Sequence, residues 1–151
     1  MAADTATIHA SAVLIGRKAA LIRGPAGSGK SQLVWNLLQA AAQGAPPFAR
    51  LVADDRAHVQ HHAGRLLVGP APALAGLIEI RGLGILRIAY EPLAVVGLVV
   101  DLADDDAVRH PDPKVQQTVI EGVSLPRVAI GAGMSALPAV LAFYKGSQTG
   151  N

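Results

Sequence analysis

Eight consecutive residues, Gly24-Pro25-Ala26-Gly27-Ser28-Gly29-Lys30-Ser31, put three glycines, a lysine and a hydroxyl into one short stretch. A backbone that wraps a phosphate group needs this composition. Glycines let several N–H donors converge on a small anion with no Cβ in the way. A helix starting directly afterwards adds the positive end of its dipole. In such a loop Lys30 reaches the β- and γ-phosphates of a nucleotide, and the Ser31 hydroxyl binds Mg²⁺. All eight residues are candidates for binding ATP.

Phosphoryl chemistry also needs a carboxylate near the phosphates, to hold the metal or to take a proton. Two strand ends offer one. Val99-Val100-Asp101 has the longer apolar run, whereas Leu51-Val52-Ala53-Asp54-Asp55 ends in a pair of acids. Adjacent acids on an extended strand point to opposite sides, so one can face the phosphates while the other holds a partner. Asp101 alone reads equally as a strand end and as a ligand. In Leu77-Ile78-Glu79-Ile80-Arg81-Gly82-Leu83-Gly84-Ile85, Glu79 and Arg81 share one face of a strand whose other face is apolar. Gly82 and Gly84 come at once after it, which suggests a close backbone approach to something bound.

These groups need elements to carry them. Residues 8–15 and 19–23 read as strands joined by a Gly16-Arg17-Lys18 turn, and the second leads straight into the phosphate loop. Residues 32–43 have apolar side chains at helical spacing, closed by Gly44 and Pro46-Pro47. Residues 51–53 form a short buried strand, and residues 59–68 suggest a hairpin across His61-His62-Ala63-Gly64. Residues 77–80 and 85–89 are strand-like, and the Val-rich run 95–102 suits a sheet centre. Residues 104–114 form a polar loop, 128–130 a last strand and 136–144 a last helix. Residues 145–151 read as a disordered tail. The expected fold is a single α/β domain spanning residues 1–151, with a mixed sheet.

The bulk composition excludes several functions. A net charge of +2, with two Phe, two Tyr and one Trp, supplies neither the basic groove nor the stacking platforms of a nucleic-acid binder. With no cysteine there is no disulfide, Cys-ligated zinc or thiol catalysis. Residues 1–5 lack the features of a signal peptide, and the longest apolar stretch, 93–103, is far short of a membrane span. A cytoplasmic protein with no membrane partner is expected. His58, His61 and His62 sit in the expected hairpin and read as an exposed turn rather than a metal cluster. His110 reads as a solvated loop residue and Trp35 as core or subunit contact.

Three segments together resemble the catalytic domain of the HPr kinase/phosphorylase family: the phosphate loop, Leu51-Val52-Ala53-Asp54-Asp55-Arg56, and Ile78-Glu79-Ile80-Arg81-Gly82-Leu83-Gly84-Ile85. His9 stands fifteen residues before Gly24, where that family has a catalytic histidine. The similarity is clear over residues 8–88, on a scaffold shared with phosphoenolpyruvate carboxykinase-like proteins. It implies an ATP- and Mg²⁺-dependent kinase acting on a serine of HPr or a similar phosphocarrier protein in phosphotransferase-system signalling, with a possible reverse phosphorylase reaction. It also implies roles. Asp55 is the base, His9 sits against it, Glu79 joins Ser31 at the metal, and Arg81 lies in the segment serving both directions. A further catalytic arginine falls at Arg109, and a hexamer is the implied assembly.

There are departures. The family's N-terminal regulatory domain has no counterpart in these residues, which suggests the short alphaproteobacterial form. Gln32 replaces the usual Glu, and Tyr90-Glu91-Pro92 replaces a Gly-rich stretch. The basic loop linked to dephosphorylation aligns with residues 125–134, where Arg127 is the one basic residue. Two alternatives stay open: a small-molecule kinase on the same scaffold, and a nucleotide-sensing module that binds without transfer.

Overall fold

The computed structural model describes residues 6–108 and 111–148. Its hub is strand β9 (Ala94–Leu102). One edge of β9 runs parallel to β3 (Lys18–Arg23). Its other edge is shared, antiparallel to β6 (Arg65–Pro70) at the start and parallel to β11 (Val123–Ile130) at the end. The full order is β1-β5-β6-β9-β3-β2-β4, built with β1 (Ala6–Ile8), β2 (Ala10–Ile15), β4 (Ala49–Ala53) and β5 (Ala57–His62). β10 (Gln117–Ile120) pairs with β11. A separate hairpin holds β7 (Leu77–Ile80) and β8 (Gly84–Arg87). This is a mixed α/β fold, as expected.

Both faces of the sheet are buried. On β3, Ala20 and Ile22 face one core while Ala19 and Leu21 face the other, as strand alternation dictates. The first core includes Leu33, Val34 and Leu37 of helix α1 (Lys30–Ala42) and Val140 of helix α2 (Leu137–Gln148). Truncating a fully buried leucine such as Leu37 costs about 2–5 kcal/mol. The second core packs β5, β6 and β10–β11 side chains such as Val59, Val68 and Leu125.

A bulge in β9 decides where its acid points. Pairing with β3 skips a residue between Ala19 and Ala20, so that Val96 and then Leu98 are the partners. Before the bulge, even-numbered Ala94 and Val96 face the second core; after it, even-numbered Leu98, Val100 and Leu102 face the helices. Gly97 makes this possible, because a Cβ there would lie 2.8 Å from the Lys18 side chain. Asp101 is thereby turned away from α1.

Some expectations are corrected. α2 continues to Gln148, so residues 145–148 are helical rather than tail, and 149–151 lie outside the described residues. β11 begins five residues earlier than the last strand read from sequence, and β10 has no sequence counterpart. β10 was illegible because it is a four-residue edge strand with Val119 outward and little apolar pattern. Among the described residues no helix is long and apolar enough to cross a membrane.

Candidate active site

Register brings the chemical groups together. β2 lies between β3 and β4, with Ala10 opposite Arg23 and Ala12 opposite Ala53. The start of β2 and the ends of β3 and β4 therefore meet at one edge. His9 precedes β2, the phosphate loop comes after β3, and Asp54-Asp55 come after β4. Residues remote in sequence converge because antiparallel neighbours place a start beside an end.

The loop has the shape a phosphate requires. A Cβ on Gly24 would lie 2.5 Å from Ser28 Oγ and 3.1 Å from Leu102 Cβ, so only glycine fits there without displacement. Gly27 and Gly29 have φ of 79° and 102°, and Gly29 caps α1 in the left-handed region. Ser28 Oγ is buried with no hydrogen-bond partner, which is unusual away from a binding site. Lys30 is buried and donates Nζ to the carbonyls of Gly24 and Pro25 at 2.9 and 3.3 Å.

The two acids diverge, though not by strand alternation. β4 ends at Ala53, and Asp55 takes a left-handed φ of 68°. Asp54 turns inward and is buried. Its Oδ1 accepts from Ser31 Oγ at 2.6 Å and Ser11 Oγ at 2.8 Å, and its Oδ2 accepts from the Glu79 N–H at 3.1 Å. Asp55 turns outward, its side chain 58% exposed, with Oδ1 3.5 Å from His9 Nδ1. That contact is an ion pair when the imidazole is protonated. Ser11 was missed by sequence reasoning. It is fully buried, and besides donating to Asp54 it accepts from the Asp55 N–H at 3.1 Å. Its signal was a lone hydroxyl inside the apolar strand ASAVLI.

A cleft of about 700 Å³ opens between this loop and the β7–β8 hairpin. Lys30, Ser31, Asp55, Glu79 and Arg81 all line it, as do Gly82 and Gly84, whose φ of 86° and 114° form the hairpin turn. Ile78 is buried in the core against α1, and the Glu79 N–H bond to Asp54 ties the hairpin to the acids. Ser31, Asp54 and Glu79 offer hard oxygen donors with two carboxylates, the set that suits Mg²⁺ completed by phosphate oxygens and water.

The remaining candidates lie elsewhere. Asp101 is bidentate to Arg23, at 2.7 and 2.8 Å, and accepts from Arg127 Nε at 2.6 Å. Burial pushes its carboxyl up, but the hydrogen bonds from Arg23 and Arg127 outweigh that and hold it below the usual range. Arg127 also reaches Asp104, Asp106 and the Val115 carbonyl, so this buried guanidinium ties the loop after β9 to β11. Both groups belong to an ion-pair network and not to the cleft. His61 accepts from the Gly64 N–H in an exposed turn. Arg109 lies outside the described residues.

Residues 1–132 match the HPr Serine kinase C-terminal domain. The chain belongs to this family. Relatives include the HPr kinase/phosphorylase of Levilactobacillus brevis, 35% identical over 109 residues, covering 72% of this chain and 32% of that protein. The HPr kinase/phosphorylase of Geobacillus thermodenitrificans is 32% identical over 139 residues, covering 85% and 43%. The chain thus spans less than half the length of these relatives. Its fold is that of the HPr(Ser) kinase/phosphatase from Coxiella burnetii, with a TM-score of 0.74 at 22% identity, covering 95% of this chain and 91% of that one.

Proposed function

We propose that this chain is an ATP- and Mg²⁺-dependent protein kinase that phosphorylates a serine of an HPr-like phosphocarrier protein in the cytoplasm. The observation that carries the reading is Asp55, an exposed carboxylate at the rim of the cleft that Lys30 and Ser31 also line. A base at the rim suits a hydroxyl presented on another protein's surface. A small-molecule kinase would enclose its acceptor.

When bound, ATP supplies the transferable phosphoryl group and Mg²⁺ the charge that neutralises it. The loop amides and Lys30 hold the phosphates, exchanging the two carbonyl partners of Nζ for phosphate oxygens. Ser31 and Glu79 hold the metal, with Asp54 fixing the Ser31 hydroxyl from behind. Asp55 would take the proton of the acceptor serine as its oxygen bonds to the γ-phosphorus and the bond from that phosphorus to the bridging oxygen breaks, releasing ADP. His9 orients the Asp55 carboxylate. Arg81 neutralises charge on the transferring group. Arg109 joins this set on the family resemblance. With Arg127 committed to Asp101, Asp104 and Asp106, the forward reaction is favoured over phosphorolysis. Assembly into hexamers belongs to the same reading, and light scattering on the purified chain tests it.

Mass spectrometry of HPr-like carriers after incubation with ATP, Mg²⁺ and this protein tests the function. One phosphate on a carrier serine is expected, absent with Asp55→Asn. No transfer to any carrier by a folded, ATP-binding protein would overturn the reading.

A further inference from the structure

Ser11 is fully buried in β2. Its neighbours Ala10 and Ala12 face the second core, so alternation puts Ser11 with Val13 and Ile15 on the side that packs against α1. An apolar side chain would fill that place more cheaply, because a buried hydroxyl loses water and needs hydrogen bonds to offset the loss. Ser11 has two, to adjacent residues. Its Oγ donates to Asp54 Oδ1 at 2.8 Å and accepts from the Asp55 N–H at 3.1 Å. With no exposure it cannot touch a substrate, so any effect it has on the reaction passes through these two acids.

Neither acid sits where a regular strand would put it. β4 skips a residue in its pairing with β2, with Ala12 opposite Ala53 and Val13 opposite Leu51, and Val52 and Ala53 both face the second core. Asp54 therefore turns to the α1 side, where Ser31 and Ser11 meet it. The chain then folds sharply about Asp55. The Arg56 N–H bonds back to the Asp54 carbonyl at 2.8 Å, closing a three-residue turn around a φ of 68°. With positive φ this is the rare, strained form of such a turn, and it persists only where its surroundings hold it. β4 has ended at Ala53, so the Ser11 hydroxyl takes the Asp55 N–H in place of a ladder carbonyl. We propose that Ser11 is the positioning residue of the acid pair: one hydroxyl holds Asp54 against the phosphate loop and locks the turn that aims Asp55 into the cleft. This rests on the kinase reading above, in which Asp55 takes the acceptor proton. Without the hydroxyl the Asp55 N–H loses its partner. The turn then relaxes toward extended backbone and carries the carboxylate away from His9.

The experiment measures phosphate transfer from ATP with Mg²⁺ to an HPr-like carrier, together with amide exchange by NMR. Ser11→Ala should lower kcat by about 10- to 100-fold, the cost of a small misplacement of a reacting group. KM for the carrier and the affinity for ADP should stay within about threefold, since neither the loop nor the docking surface is altered. Ser11→Thr keeps the hydroxyl and should recover most of the lost kcat. In the wild type the Asp55 amide should be protected like the amides of β4, and in Ser11→Ala it should exchange at least about tenfold faster. A Ser11→Ala protein with wild-type kcat, or with its Asp55 amide still protected, overturns the proposal. So does a folded Ser11→Thr protein no more active than Ser11→Ala. Should the variants misfold, the wild-type amide decides: exchange of Asp55 at the rate of an unprotected peptide overturns the proposal, and protection supports it. Wild-type protein that transfers no phosphate would defeat the kinase reading and the catalytic half of this inference with it, whereas the amide exchange reads the Ser11 clamp by itself.

Discussion

Ser31 Oγ donates to Asp54 Oδ1 at 2.6 Å, joining the last residue of the phosphate loop to an acid just beyond β4. The same oxygen accepts from Ser11, so one buried carboxylate aligns the loop, the start of β2 and, through Glu79 N–H, the β7–β8 hairpin. The two neighbouring acids thus have different surroundings, Asp54 buried among three donors and Asp55 open to the cleft. The proposed function gives positioning to the first and proton transfer to the second.

Replacing each acid should separate those roles. Asp55→Asn should lower phosphate transfer by about 10²–10⁴-fold, the usual worth of a general base, with ATP affinity nearly unchanged. Asp54→Asn should raise the Mg²⁺ concentration needed for half-maximal nucleotide binding and lower the melting temperature, because hydrogen bonds to a buried charge are worth about 1.5–3 kcal/mol. Equal effects of both changes on Mg²⁺ dependence would refute the division.

Gly24→Ala should abolish tight nucleotide binding. The added methyl would sit 2.5 Å from Ser28 Oγ and 3.3 Å from the Leu102 carbonyl, so the loop must shift. Calorimetry should read a loss of about tenfold or more in ADP affinity with the circular dichroism spectrum preserved.

Leu83 lines the cleft and is 68% exposed, at the tip of the hairpin that carries Arg81. Leu83→Ser should raise KM for the protein acceptor by about five- to tenfold, since a buried anchor residue is worth about 1–2 kcal/mol at an interface. ATP affinity should not change. An unaltered acceptor KM would place the docking surface elsewhere.

Arg127→Met should destabilise the fold. The guanidinium is buried, its side chain 9% exposed, and its loss leaves Asp101 with Arg23 alone while releasing Asp104 and Asp106. A loss of about 2–4 kcal/mol is expected, a fall in melting temperature of about 5–10 °C by calorimetry.

Acid should dissolve the same network. The Asp101 carboxyl is held below its ordinary 3.8 in the folded chain, so its stabilisation is complete above that value and is lost as pH falls through the folded one. Denaturant midpoints of wild type and Asp101→Asn should differ by a constant amount well above the ordinary carboxylate value and converge as the pH falls through the lowered folded one. A difference that grows on acidification would contradict the ion-pair account.

The amino-acid sequence by itself determined the local chemistry. The phosphate loop, its flanking strand and helix, the Asp54-Asp55 pair and the Glu79–Arg81 segment were legible because each is short and its spacing carries its own physical reason. The β5–β6 hairpin and β9 were legible from apolar pattern. Only the tertiary structure decided which groups share the cleft. The placement of His9 and Asp54-Asp55 beside the loop depends on the order β3-β2-β4, which no local pattern encodes. Asp101 read as well as Asp54 in one dimension, and a one-residue bulge at Gly97 turned it to the far face, onto Arg23 and Arg127. Strand periodicity has period two, so a single inserted residue inverts every side chain beyond it.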